Sequence, residues 1–382
     1  MLHNSLVIIG GGPVGLAMAL SLAEKGHFVT IIDSGKDKSS DGRVLALSYA
    51  SQQFLAQING WPGSATAIDC VEISHSGLGI SQIKADDLGL THLGYTVSYH
   101  ALCDCLLGQI QHNDKITMVI GDVRKIHDGN ELVTIEYQQG DVAKIMTAKW
   151  LLLAEGGGLL GKETLRINHD YEQQALVAHI QTPTQHQNIA YERFGSLGPL
   201  VLLPYQDHYV VVWSLATELA RSYAADPTLF VSELEHQFTR QLGGCQLLSK
   251  LHCFPLFLKQ VRERVLRRII LIGNSAQLLH PVSAQGLNVG LRDVKLLSKL
   301  FSNYQPGANL AALKNYHQLR ESDVSRLINF THLLATKMEP QSRLLQHLRG
   351  AGIIGLSVMP KLQNTLAEHL IYGFKVFTKF LL

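Results

Sequence analysis

The sequence predicts an α/β protein. A lobe built on a parallel sheet comes from stretches far apart in the chain, with a mostly β lobe inserted between them and a helical region at the C-terminal end. Three observations lead there. The chain opens as strand, glycine loop, helix and strand. A second glycine-containing stretch, Gly273-Asn274 through His280-Pro281-Val282-Ser283-Ala284-Gln285-Gly286-Leu287-Asn288 to Asp293, comes late. Residues 170–260 between them are patterned as strands, and residues beyond about 305 read mostly as helix.

Leu6–Ile9 is a short continuous apolar run, as a strand buried on both faces requires. Gly10-Gly11-Gly12-Pro13-Val14-Gly15 follows. Gly10 permits the sharp turn, Gly12 lets the backbone approach a pyrophosphate, and Gly15 lets the next helix pack closely on the strand. That helix carries Ala19, Leu22 and Ala23 at helical spacing and stops at Gly26, and its free N–H groups favour a phosphate at its start. Val29–Ile32 reads as the second strand and ends in Asp33, about twenty residues beyond the loop, where a carboxylate can accept hydrogen bonds from ribose hydroxyls. The unit predicts a Rossmann-like dinucleotide site; the competing reading is a tight turn in an ordinary βαβ unit. Trp150–Ala154 reads as a further buried strand, and Leu200–Leu203 and His208–Leu215 as strands of the middle region. Along the last of these, Tyr209, Val211 and Trp213 share one face and Val210 and Val212 the other. One face meets the substrate or cofactor, or both are plain core.

A chain of 382 residues exceeds one typical core and favours two packed lobes. Its 33 basic and 31 acidic residues nearly balance, which argues against a nucleic-acid footprint. The cysteines are Cys70, Cys103, Cys105, Cys245 and Cys253; their odd number and lack of a C-x-x-C pair fit free thiols in a reducing compartment. Cys103 and Cys105 are expected on opposite sides of a short helix entrance. The histidines show no metal-ligand spacing, so no metal is expected. Met1–Ser5 lacks the basic residues of a signal peptide, and no apolar run reaches 18 residues. These features predict a cytoplasmic protein, with peripheral attachment to the inner face of the cytoplasmic membrane as an option. Ile353–Met359 is apolar, and Phe374–Leu382 mixes aromatics with lysines. This end either lies on a membrane surface or docks on a partner or on the body of the protein.

The expected organisation is discontinuous. Residues 1–70, 100–165 and 263–305 form the nucleotide-binding lobe, 71–99 and 166–262 the β-rich substrate lobe, and 306–382 the helical region.

The first loop, Asp41-Gly42-Arg43 and the Gly273–Asp293 segment together resemble the aromatic-ring hydroxylases of the single-component, FAD-dependent monooxygenase superfamily. The run Gly273-Asn274-Ser275-Ala276-Gln277, with Leu279-His280-Pro281 and Gly290-Leu291-Arg292-Asp293, resembles the branch that hydroxylates 2-polyprenyl-6-methoxyphenols in ubiquinone biosynthesis. Tyr191-Glu192-Arg193-Phe194, Gly198-Pro199 and Leu203-Pro204 fit the same group's middle sheet. The resemblance spans about residues 4 to 375 and implies a fold like that of para-hydroxybenzoate hydroxylase.

It further implies extended FAD, adenosine at Gly10, Gly12, Pro13, Val14, Gly15 and Asp33, with Arg43 over the phosphate or ribose region. The flavin would lie against Pro281, Gln285, Gly286, Leu287 and Asn288, with Gly273, Asn274 and Glu155 also at the cofactor. A helix starting near Asn288 would direct its positive end at the ring. Three departures stand out: Asn274 in place of the usual aspartate, Ala284 in place of glycine, and Glu155 in place of aspartate. The implied chemistry takes electrons from NAD(P)H as a transient donor and passes oxygen through a flavin C4a-hydroperoxide to an electron-rich phenol. His280, with Pro281, is the candidate catalytic position; the histidine either polarises the phenol or holds the loop. A prenylated substrate resides in the bilayer, which implies a membrane surface or other ubiquinone-biosynthesis proteins as partners. Two other readings are a flavin-dependent prenyl-lipid reductase and a non-catalytic FAD-bound subunit of a biosynthetic assembly.

Overall fold

The computed structural model describes residues 2–36, 42–75, 79–159, 161–238, 242–302, 310–337, 352, 354–355 and 358–374. Asp41, the stretch 375–382 and part of the apolar run 353–359 lie outside the described residues.

The opening unit forms as its pattern requires. Strand Leu2–Ile9 pairs in parallel with Val29–Asp33 on one side and Val142–Leu153 on the other. Its side chains divide between two cores: Leu6 and Ile8 pack beneath helix Pro13–Glu24, and Val7 and Ile9 pack with Val133, Ile135 and Leu151 on the opposite face. This is why the run carries no polar alternation. The sheet extends in parallel to Ile116–Ile120 and to Ile269–Leu271, so a strand from late in the chain completes the early lobe. Helix Pro13–Glu24 then packs against Gly286–Ser302 and Tyr99–Gln111.

A second, larger sheet runs in the order Gln277–Leu278, His252–Val261, Leu165–Gln181, His208–Ala216, Gly198–Tyr205, Ile189–Gly195, Cys70–His75 and Ile80–Lys84. Strict alternation gives it two apolar faces. Tyr209, Val211 and Trp213 face helices Thr217–Ala225 and Pro227–Gln237 in a closed core with Phe230 and Leu234. Val210 and Val212 face the other way, toward Val44, Ala46 and Ile68 of the first lobe. Both faces left open by the sequence are plain core, the first packed on the two helices and the second on Val44, Ala46 and Ile68.

Two expectations need correction. Strand Gly94–Ser98 does not join the β-rich lobe assigned to 71–99. It pairs with Val44–Ser48 and Thr66–Ile68 in a separate three-stranded sheet. It is held there because Ser98 caps helix Tyr99–Gln111 and the Tyr99 N–H donates to the Arg43 carbonyl. Cys103 and Cys105 lie inside that helix, not at its entrance, with Cys103 buried and Cys105 partly exposed. All five cysteines are free thiols.

The C-terminal helix Pro360–Tyr372 docks on the body of the protein. Gln363 donates to Ser81 Oγ and to the Gln82 carbonyl, the Ser48 hydroxyl donates to the Ile371 carbonyl, and Ala367 and Ile371 pack with Ile83 and Leu93. No helix among the described residues is long and apolar enough to cross a membrane.

Candidate active site

The two glycine loops, remote in sequence, meet at one side chain. Val14 sits in a notch that only glycine can leave open. An added Cβ on Gly290 would come within 2.7 Å of Val14 Cγ2, and one on Gly273 within 3.1 Å of both its methyl groups. Gly273 also has φ +57°, a left-handed backbone.

At the first loop the Asp33 carboxylate accepts from the Gly11 N–H at 2.7 Å and from the Gly35 N–H at 3.0 Å. Each oxygen thus keeps acceptor capacity for ribose hydroxyls. Gly12 is the N-cap of helix Pro13–Glu24, Pro13 occupies its first turn, and no side chain caps the helix. The unsatisfied N–H groups are those a pyrophosphate requires. Arg43 lies with its guanidinium 4.8 Å from the Tyr99 ring centroid, and the Tyr99 hydroxyl is the nearest group to a Cβ built on Gly12. Arg43 therefore stands beside the loop, stacked on a tyrosine that sequence reasoning did not single out. These residues fit the adenosine and pyrophosphate half of FAD.

The second loop is held by side chains from distant elements. Asn288, 3% exposed, has its Oδ1 accepting from the Ser48 N–H at 2.9 Å and the Ser51 hydroxyl at 2.7 Å. Its Nδ2 donates to the carbonyls of Ala46 and Ala284. The side chain is thus spent on tying the loop to strand Val44–Ser48, and helix Gly286–Ser302 begins beside it. Gln285 accepts from Arg292 at 2.8 Å. Gly286 has open space where a Cβ would project, Leu287 is partly buried against the first core, and Asn274 is exposed.

Asp293 is fully buried and accepts from the Gly273 N–H, Gln277 and Arg320. Arg320 also pairs with Asp323 at 2.7 Å, and Asp323 with Arg292 at 3.2 Å. Burial works to raise the Asp323 carboxyl, but Arg292 and Arg320 hold it below the usual carboxylate range. The sequence marked Arg292 and Asp293 only by resemblance and missed their partners. Their signal was present: Arg320 and Asp323 interrupt the stripe Leu313, Tyr316, Val324, Leu327 of helix Leu310–Lys337.

Glu155 uses its carboxylate locally. It accepts from the N–H groups of Gly157 and Gly158, and the Ser275 hydroxyl donates to it at 3.3 Å. It braces Gly156–Gly158 against the turn that contains Gly273-Asn274.

His280 resolves toward the structural alternative. Its Nδ1 accepts from the Val282 N–H and its Nε2 contacts Gln173 Oε1 at 3.2 Å. Burial, with His332 nearby, pushes its pKa down to about 4, so the ring is neutral and both nitrogens are engaged. It shapes the turn Pro281–Ser283 and has no free nitrogen for a phenol. Pro281, partly exposed, presents that turn next to strand Gly198–Tyr205. Ala284 follows with φ +49°.

A parallel sheet whose first glycine loop opens a helix with uncapped N–H groups, and a second loop packed on it at Val14, fit an FAD-dependent oxidoreductase. Two family profiles together match residues 4–331. One, pyridine nucleotide-disulphide oxidoreductase, matches residues 4–211, and one, FAD binding domain, matches 122–331. The chain belongs to the FAD-binding flavoprotein family. It is 28% identical to ubiquinone hydroxylase UbiL of Rhodospirillum rubrum over 95% of this chain and 88% of that protein. It is 26% identical to 3-demethoxyubiquinol 3-hydroxylase of Escherichia coli over 84% and 86%. The fold matches p-nitrophenol 4-monooxygenase PnpA of Pseudomonas putida with a TM-score of 0.79, covering 98% of this chain and all of that one at 16% identity.

Proposed function

We propose that this protein hydroxylates a prenylated methoxyphenol in ubiquinone biosynthesis, using FAD, NAD(P)H and dioxygen. The observation that carries the reading is the meeting of the two glycine loops at Val14, beside a helix whose first N–H groups no side chain caps.

Bound FAD would supply oxygen activation, making one atom of dioxygen available to the ring. The protein's own residues do the rest. Asp33, the uncapped start of helix Pro13–Glu24 and Arg43 would hold the nucleotide half, and the Pro281–Asn288 turn, fixed by His280 and Asn288, would hold the other.

The relatives' ubiquinone substrates and the tail's hydrophobicity support action at the inner face of the cytoplasmic membrane, alone or with other ubiquinone-biosynthesis proteins. Val358, Met359 and Leu362, 70%, 55% and 52% exposed, form an apolar edge beside the docked C-terminal helix that suits such a surface.

The test combines the absorption spectrum of the purified protein with oxygen uptake in the presence of NAD(P)H and a short-chain 2-prenyl-6-methoxyphenol. Phenol-stimulated uptake with a hydroxylated product supports the reading. Bound flavin with no phenol response, but with oxygen-independent reduction of a prenyl double bond, would replace it with the reductase reading.

A further inference from the structure

Strand Leu165–Gln181 is interrupted shortly before Gln173. Asp170 pairs with Phe257 and Gln174 with Pro255, so four steps along this strand oppose two along its neighbour. Side chains fix the bulge. The Asp170 carboxylate accepts from the Glu172 N–H, the Thr217 hydroxyl donates to the Glu172 carbonyl, and Glu172 has φ +56°. Tyr171 and Gln173, on either side of Glu172, both meet His280. The Tyr171 ring stands edge-on to the imidazole at 4.9 Å between centroids, and Gln173 Oε1 lies 3.2 Å from its Nε2. Gln173 is buried, and His280 is 1% exposed. The other titratable group near the imidazole is His332 of helix Leu310–Lys337, whose Nδ1 lies 3.0 Å from the Tyr171 hydroxyl. Strand Gly198–Tyr205, which also packs on the Pro281–Ser283 turn, carries Tyr205 alone among titratable residues, and that ring stands against His179 and His208.

This geometry decides where one proton sits. Neutral His280 carries a single ring N–H, and its Nδ1 accepts from the Val282 N–H, so the proton is on Nε2 and is donated to Gln173 Oε1. Without that acceptor the buried Nε2–H would lose its partner, and a proton moved to Nδ1 would face the Val282 N–H, donor against donor. Val282 lies in the turn Pro281–Ser283, which ends at Ala284, whose carbonyl accepts from Asn288 at the start of the next helix. A side chain with packing as its whole task would be apolar here, like Ala175 and Val177 on the same face of the strand. Resting on the phenol-hydroxylase reading, we propose that Gln173 is a positioning residue for the flavin: it holds the His280 proton on Nε2 and so keeps the turn from Pro281 to Ala284 in the shape that turnover requires.

The test uses the full FAD-loaded chain, NAD(P)H and a short-chain 2-prenyl-6-methoxyphenol, with two variants. Gln173→Met keeps the size and removes the acceptor. Gln173→Glu keeps the acceptor and adds a charge that favours the imidazolium, whose Nδ1–H can no longer accept from Val282. Nitrogen NMR of histidine-labelled protein, with His280 assigned by its loss in His280→Gln, should show the proton on Nε2 in the wild type and not in Gln173→Met. In Gln173→Met the visible band of the bound flavin should shift, and kcat at pH 7 should fall about tenfold or more with KM changing less than about threefold. In Gln173→Glu the acid limb of kcat should move up by about one pH unit or more. A Gln173→Met protein with the wild-type tautomer, flavin band and kcat, or a Gln173→Glu protein with an unmoved acid limb, overturns the proposal and leaves the phenol-hydroxylase reading intact. If Gln173→Met does not fold, the acid limb of Gln173→Glu decides. A wild type that does not hydroxylate the phenol overturns that reading instead, and the tautomer and the flavin band then decide the role of Gln173.

Discussion

The two glycine loops perform related tasks by opposite means. The first is local. Strand, loop, helix and acid lie within residues 2–33, and the contact that shapes it, Gly11 N–H to Asp33, spans 22 positions. The second is held from a distance. Asn288 reaches back 240 residues to Ser48, His280 reaches 107 to Gln173, and Asp293 relies on Arg320 of a later helix. A phosphate is bound by backbone N–H groups that any correctly turned chain provides. The second loop, proposed to face the flavin, is assembled from several remote segments.

The largest expected effect breaks the second loop. Arg320→Met leaves Asp293 and Asp323 buried without their shared cation and should cost about 3–5 kcal/mol, read as a lower denaturation midpoint at unchanged slope. Acid should act on the same region. The folded His280 pKa is depressed, so its contribution is complete above pH about 6.5 and is lost as pH falls through about 4. That amounts to about 3 kcal/mol, and denaturation curves of His280→Gln should lose this part of the acid sensitivity.

The first loop should respond differently. In Gly11→Ala the new Cβ would approach Asp33 Oδ2 to 2.6 Å. FAD affinity should fall about tenfold or more, roughly 1.4 kcal/mol, with a smaller change in the melting of the cofactor-free protein. Equal losses of stability for Gly11→Ala and Arg320→Met would remove the contrast between a local loop and a distantly braced one. The smallest effect sharpens it. Ala284 occupies a left-handed conformation, so Ala284→Gly should relieve about 1 kcal/mol of local strain and raise the midpoint slightly.

Much of the site was legible in the sequence for this reason. The first loop, Asp33 and the burial of Leu6–Ile9 follow from spacing and alternation, which act between near neighbours. Arg43 was placed near the cofactor, but Tyr99, which carries it, was not. Glu192 was visible only inside the run Tyr191–Phe194; that it stands in register with Ile73 and Val201 of the neighbouring strands depends on pairing across the sheet.

The sequence by itself determined the first glycine loop and the fold class, because strand and helix periodicity and glycine's conformational freedom are local properties, while the late segment was marked by resemblance. Only the tertiary structure decided that His280 is engaged at both nitrogens, that Asn288 is spent on Ala46, Ser48 and Ser51, and that Gly94–Ser98 leaves the large sheet. It alone revealed that Gly273 and Gly290 make room for Val14. Each of these outcomes rests on which distant groups are brought within hydrogen-bonding or van der Waals distance, and periodicity along the chain carries no information about that.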